Sequence, residues 1–200
     1  YCNTMLVLFG LLVCLMVGSC QQKEGAHTYS ADEKRLIDST IESQQDTTAL
    51  KQLLTTYKQE DNVLGAVRTM RKLGRIYRNA SLFKQSLAMH SEEYMAAKSL
   101  NDTIEIVQSL NNIGTVFRRI SSLEQASKYH FRALEYCLAS TDTSSVMLKN
   151  TVVSLNGLGN VYLSVNNYRL ARDCFQRALD GETKLGSLLG QAINYANIGS

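Results

Sequence analysis

The chain contains no proline in its 200 residues. That absence favours long, uninterrupted helices, because proline breaks helix interiors. A strong excess of one charge is also missing: 21 basic against 18 acidic residues leave a net charge of +3. So slight a balance gives no argument for nucleic acid or an anionic membrane surface as a partner of this segment. Catalytic signatures are missing too. No GxxxxGK(S/T), HExxH or GxSxG occurs, and these are the patterns that build a phosphate loop, a zinc-protease site or a nucleophile elbow. Gly157, Leu158 and Gly159 begin like a dinucleotide fingerprint, but the third glycine is absent. Five cysteines and three histidines show no CxxC pair and no Cys/His metal spacing. Glu92 and Glu93 are adjacent in sequence, so on a helix they point about 100° apart. The sequence implies binding rather than catalysis, with no cofactor and no metal.

Charge is absent from residues 1–19 altogether. The apolar run 5–17 is shorter than the roughly 20 residues that a bilayer-spanning helix needs. It has the length of a signal-peptide core and is followed by the small residues Gly18 and Ser19 and then Cys20. "VGSC" (17–20) resembles the lipobox of bacterial lipoproteins. The resemblance implies that residues 1–19 are a lipoprotein signal peptide. Cys20 then becomes the lipidated N-terminus, anchored to a membrane in the extracytoplasmic cell envelope. A buried N-terminal helix or an uncleaved anchor is the other reading. No lysine or arginine precedes the apolar run, which departs from the usual leader, although the chain starts at Tyr1 and not at methionine. Residues 20–30 read as a flexible tether.

What the sequence does have is repetition. Gly74, Gly114, Gly159 and Gly199 are spaced by 40, 45 and 40 residues, each after an apolar neighbour. An aromatic follows three residues later (Tyr77, Phe117, Tyr162), then Ala126 and Ala171, then Ala133 and Ala178. Apolar positions spaced three and four apart on either side of a short polar break predict two amphipathic helices per repeat. The breaks "NAS" (79–81), "SS" (121–122) and "NN" (166–167) suit helix N-caps. Turn chemistry separates the repeats at "EDN" (60–62), "LND" (100–102), "STD" (140–142) and "LGS" (185–187).

This arrangement resembles the tetratricopeptide repeat, which implies an all-α superhelix, a solenoid of antiparallel helix pairs. Residues 155–179 match best, 110–134 nearly as well with His130 in the phenylalanine slot, and 70–94 are degenerate, with Ser86, His90 and Glu93 replacing alanine, aromatic and alanine. The period is nearer 40 than the family's usual 34, a longer-helix variant. The predicted layout is an N-terminal helical cap at 31–65 and an array at 66–200, with repeats at about 66–102, 103–142 and 146–187 and a truncated fourth from 188. Ser30 and Glu33 have the form of a capping box. The register stops midway through the fourth repeat, so the chain is expected to be part of a longer one.

His90 and His130 hold equivalent slots. Such positions in neighbouring helix pairs lie about 10 Å apart, whereas the ligands of one zinc each lie about 2 Å from the ion. Both are therefore expected to act as polar-tipped substitutes for an aromatic. Cys137 and Cys174 are expected as buried small hydrophobes, with a disulfide as the alternative.

In the tetratricopeptide family the first helix of each repeat lines the concave face. Carried over, the resemblance implies a peptide-binding groove of Arg68, Arg71, Arg75, Arg78 and Asn79 from the first repeat. Gln108, Asn111, Asn112, Thr115, Arg118 and Arg119 follow from the second. Val153, Asn156, Asn160 and Ser164 come from the third. The first four arginines are spaced three, four and three apart, one helical stripe. Guanidinium forks suit carboxylates, and asparagines offer a peptide backbone both donor and acceptor. The expected partner is a protein or extended peptide, acidic or presenting a terminal carboxylate. The alternative is a solvated polar face, or one covered by another part of the same protein. The family's carboxylate clamp needs further basic residues where Val153 and Gly157 stand.

With the lipobox-like leader, the array is similar to the N-terminal sensory regions of envelope regulators in Bacteroidetes-type bacteria. That implies a non-enzymatic interaction module ahead of a membrane helix and an output domain. A stand-alone assembly lipoprotein and the docking arm of an enzyme stay open, and the sequence after residue 200 separates the three.

Overall fold

A computed structural model describes residues 28–199. The expected leader, the lipidation site Cys20 and most of the tether lie outside the described residues. Among these, nine helices and no strand occur: α1 (Ala31–Ser43), α2 (Thr47–Gln59), α3 (Val63–Asn79), α4 (Phe83–Leu100), α5 (Thr103–Arg119), α6 (Leu123–Ala139), α7 (Ser145–Ser164), α8 (Tyr168–Lys184) and α9 (Leu188–Gly199). Each helix from α2 onward packs on its successor, and the first helices also touch in a row, α1 to α3, α3 to α5 and α5 to α7. The architecture is an all-α helical-repeat superhelix. No described helix is long and apolar enough to cross a membrane.

Caps set the N-terminal boundaries. Ser30 Oγ accepts from the Glu33 N–H, and Glu33 Oε2 accepts from the Ser30 N–H at 2.7 Å, a complete capping box that starts α1. Tyr29, in the expected tether, accepts from the Leu64 N–H through its hydroxyl and packs against the first core cluster. Helix α3 begins at Val63, ahead of the expected boundary at 66, because Asn62 Oδ1 accepts from the Gly65 N–H.

The breaks inside each repeat work differently from the expectation. Leu82 and Ser122 occupy the N-cap positions of α4 and α6 without any side-chain cap bond, and only Asn167 caps its helix. The polar residue just before each is what makes the turn. Ser81, Ser121 and Asn166 have φ of 60°, 60° and 57°, the left-handed conformation that closes a helix C-terminus. The next N–H then reaches back five residues to the carbonyl of the repeat's aromatic: Leu82 to Tyr77, Ser122 to Phe117, Asn167 to Tyr162. Gly186, at φ 68°, repeats the device after α8.

The glycine register has a packing cause. In α3, α5 and α7 the second helix of the pair presses a ring onto the glycine: His90 on Gly74, His130 on Gly114, Phe175 on Gly159. A Cβ would come within 2.5 Å of the ring at Gly74 and Gly159 and 2.9 Å at Gly114. Three apolar clusters run through the stack, the last built by Leu134, Val152, Leu155, Leu158, Cys174 and Ala178. Cys137 and Cys174 are buried free thiols, not a disulfide, and burial pushes both up in pKa.

The two histidines take the aromatic slot, fully buried, and each spends its polar edge inside the protein. His90 Nδ1 bonds Glu93 Oε2 at 2.6 Å, and His130 Nδ1 donates to Asn111 Oδ1 at 2.9 Å. His130 Nε2 is buried without a partner, so a second proton there would be stranded. Burial, aided by the charge of Arg118, lowers the His130 pKa to about 4.

Two outcomes follow for stability. Gly→Ala in an exposed helix gains about 1 kcal/mol, but here overpacking of about 1–3 kcal/mol opposes it. Gly159→Ala should therefore destabilise in urea unfolding, and more than Gly114→Ala, whose neighbour has less to give; a net stabilisation at Gly159 would refute the packing argument. For His130 the native pKa lies below the unfolded one, so its stabilising contribution is complete above the unfolded pKa and drains away as pH falls toward the native one. Between pH 7 and about 4.5 the wild type should lose on the order of 2–3 kcal/mol relative to His130→Phe, read by thermal unfolding.

Candidate functional site

The concave face is formed by the row α1, α3, α5 and α7. Its N-terminal half holds a cavity of about 490 Å³ lined by Asp38, Arg68, Arg71, Lys72, Arg75, Glu105 and Gln108 among others. The expected arginine stripe runs along it, but the four arginines do not share one environment.

Arg68 and Arg71 are engaged within the protein. Arg71 Nε donates to Glu93 Oε1 at 2.7 Å, and its Nη2 donates to Glu105 Oε2 at 2.5 Å. Arg68 donates to Glu105 Oε1 from Nη2 at 2.8 Å and to Asp38 from Nη1 at 2.9 Å. With His90 on the far side of Glu93, a continuous ladder crosses from the core to the rim: His90, Glu93, Arg71, Glu105, Arg68, Asp38. Burial works against the charge of Arg71, but Glu93 and Glu105 outweigh it and hold its pKa above the ordinary value. Burial likewise opposes the Glu105 carboxylate, and Arg71 and Arg68 overcome it and pull the pKa down. Lys72 is occupied as well, donating to the Ile41 carbonyl at the end of α1.

Asn111 does in the second repeat what Arg71 does in the first. Both stand three residues before the register glycine. Asn111 accepts from His130 and donates through Nδ2 to Ser154 Oγ at 2.9 Å, entirely buried. Thr115 donates to the Asn111 carbonyl, and Asn160 to that of Asn156, bonds within their own helices. Asn156 keeps a buried Oδ1 without a partner. The polar atoms of Arg68, Arg71 and Asn111 thus join helix to helix, Asn111 from the interior and the two arginines while still lining the cavity. Gln108, Asn112 and Thr115 are half-buried, Asn79 is exposed, and Gln108 lines the cavity.

Arg75, Arg78, Arg118 and Arg119 behave in the opposite way. Arg78, Arg118 and Arg119 come from the last turns of α3 and α5 and Arg75 from the turn before, and none forms an ion pair or side-chain hydrogen bond among the described residues. Arg78 is half-buried, and burial, then the charges of Arg119, Arg75 and Arg118, lower its pKa. Arg118 is lowered by burial and by Arg119. Four guanidiniums are held together with no carboxylate among the described residues to neutralise them. Part of this is met by the helix C-termini they sit on, whose carbonyl ends favour cations.

Sequence reasoning missed the acids. Glu93 stands in a slot that holds Ala133 and Ala178 in the later repeats, and Glu105 stands where the first repeat has Gly65. A carboxylate in a small-residue slot, one helix away from an arginine, was the signal available.

Because both neighbours of Arg71 are buried carboxylates, its loss strands charge in the core. Arg71→Met should cost about 3–5 kcal/mol in urea unfolding. Adding Glu93→Ala, which restores the residue of the sister repeats, should recover a large part of that. An unchanged midpoint for Arg71→Met would show the ladder to be inert.

No protein-family model matches the chain, and neither does any curated protein. Among solved structures it is similar to BtubC (BKLC) from P. vanneervenii, with a TM-score of 0.53 at 14% identity over 84% of this chain and 66% of BtubC, so it spans just under two thirds of that protein. The apo form of RapI aligns with a TM-score of 0.48 at 16% identity, over 78% of this chain and 64% of RapI, and nothing further is drawn from that likeness. At such identities BtubC speaks to the fold alone, an all-α helical repeat.

Proposed function

We propose that the chain is a non-enzymatic scaffold whose concave face takes an acidic segment of a protein partner. The observation that carries this reading is the group Arg75, Arg78, Arg118 and Arg119, brought together without a counter-charge among the described residues. A protein that needed these residues only for solubility would gain by spacing them, since burial and the neighbouring arginines act against the charges of Arg78 and Arg118. The neighbouring arginines show what the fold does when it wants arginine neutralised: it supplies Glu93, Glu105 and Asp38. Guanidinium forks left open in this way suit carboxylates presented in series.

In the same reading the scaffold belongs to the bacterial cell envelope, tethered through lipid on Cys20, and forms the sensory part of a larger regulator. That portion rests on the "VGSC" lipobox resemblance at the end of the apolar run 5–17.

The binding half is tested with a fluorescein-labelled hexaglutamate peptide and the Arg75→Gln, Arg78→Gln, Arg119→Gln triple variant. In anisotropy titrations the wild type should bind at about 0.05 M salt and release the peptide by about 0.3 M, as exposed charge pairs do. The variant should bind at least about tenfold more weakly, since charge-assisted bonds contribute about 1.5–3 kcal/mol each. Its thermal midpoint should stay level or rise, because repulsion is relieved. Equal affinity of the two proteins, or no salt-sensitive binding by the wild type, would overturn the assignment.

A further inference from the structure

Helix α1 stands first in the concave row, yet it is set differently from the helices beside it. Alone among the described helices it does not lie closely against its successor, and it touches α3 instead. Only Ile37 and Ile41 of α1 are buried, whereas α3 buries Leu64, Val67, Met70 and Leu73 among others. A cavity flanks α1 on either side of that narrow buried edge. The one of about 490 Å³ on the concave face takes Lys34, Asp38, Ile41 and Glu42 into its wall. The other, of about 520 Å³, lies between α1 and the turn joining α2 to α3, lined by Tyr29, Leu36, Ile37, Glu60 and Asp61 among others.

Beyond the two isoleucines, the ties from α1 to α3 are polar. Both Asp38 oxygens accept from Arg68 Nη1 at 2.9 Å. Lys72 Nζ donates to the carbonyls of Ile41, Glu42 and Gln44 at 2.8, 3.4 and 3.3 Å. Those carbonyls form the C-terminal end of α1, which carries partial negative charge. α1 thus offers the groove a carboxylate and a second negative group. With α1 in place, the Arg68 and Lys72 side chains are only 17% and 16% exposed. Both line the same cavity as Arg75, a member of the open arginine group. The two helices that meet at residues 44–46 are also capped independently: Ser30 and Glu33 start α1, and Asp46 Oδ1 accepts from the Thr48 and Ala49 N–H groups to start α2.

We propose that α1 is an internal competitor for the groove: an acidic segment seated on Arg75 displaces Asp38 from Arg68 and the end of α1 from Lys72, and α1 swings out as an intact helix about residues 44–46. The proposal rests on the reading that the concave face takes an acidic segment, and it assigns that face its regulation. Burial of Ile37 and Ile41 in the first apolar cluster and the Tyr29 hydroxyl on the Leu64 N–H hold the closed form. In the open form the partner's carboxylates take over Arg68 Nη1 and Lys72. Arg68 keeps its place in the stack throughout, because its Nε and Nη2 stay on Glu105 Oε1. The two cations exchange one set of negative groups for another, so the partner shifts a balance between two forms that both satisfy them. Affinity for the segment is then lowered by the fraction of molecules in which α1 is docked.

The test is hydrogen exchange of the full chain, read by mass spectrometry with and without saturating hexaglutamate at about 0.05 M salt. Amides of α1 should exchange at least about fivefold faster with the peptide bound, while those of α2 keep their rate. Asp38→Asn should bind hexaglutamate about three- to tenfold more tightly in anisotropy titrations, and so should Ile41→Ala, which loosens α1 without touching a charge. Asp32→Asn makes the same change of charge on the same helix but outside the cavity, and should bind as the wild type does. Where Ile41→Ala fails to fold, the Asp38→Asn and Asp32→Asn pair decides. Hexaglutamate binding that leaves α1 exchange unchanged or slowed, or Asp38→Asn no tighter than Asp32→Asn, would overturn the displacement and leave the acidic-segment reading standing. No salt-sensitive binding by the wild type overturns that reading and this one with it.

Discussion

The stack depends on a three-way joint. Three residues before each of the first two register glycines stands a polar side chain that reaches two other helices at once: the second helix of its own repeat and the first helix of the next. Arg71 joins Glu93 of α4 to Glu105 of α5, and Asn111 joins His130 of α6 to Ser154 of α7. Apolar packing against glycine holds each pair closed, but it is non-directional. The joint adds direction, because a buried polar group that loses its partner is costly. Repeat therefore follows repeat at a set rotation, and the concave row of first helices is a consequence.

That row divides its positive charge in two. At the start of the groove, arginines are consumed as mortar, with Asp38 and Glu105 closing the ladder at the rim. Toward the ends of α3 and α5 the arginines stand unneutralised within the described chain. A stripe that looks uniform in sequence is thus structural over its first half and open over its second. This division is why Arg75, Arg78 and Arg119, and not Arg71, are the residues on which a change in binding can be told from a change in folding.

The repeats were legible because their causes are local. A glycine, an aromatic three residues later and a polar break report one helix pair, and Ser30 with Glu33 announced the first helix. The break residues were recognised, and Asn167 does cap its helix, but Ser81, Ser121 and Asn166 were given the wrong task, since serine and asparagine serve equally as N-caps and as left-handed turn residues and the sequence alone does not say which. The ladder was not legible in the same way. Arg71 and Glu105 are 34 residues apart and meet only through the inter-repeat rotation, which no periodicity reports.

The joints also differ from one another in kind. The first is ionic, the second is a neutral chain of histidine, asparagine and serine, and in the third the ring is Phe175, which has no polar edge to offer. Stacking the first repeat directly on the third would put Asn150 where Arg71 has the Glu105 carboxylate, leaving a buried guanidinium without that charge. The units of this solenoid are consequently not interchangeable. Their order along the stack is written into the interior, so that a shuffled or skipped repeat would be rejected by its neighbours before the connecting turns had any say.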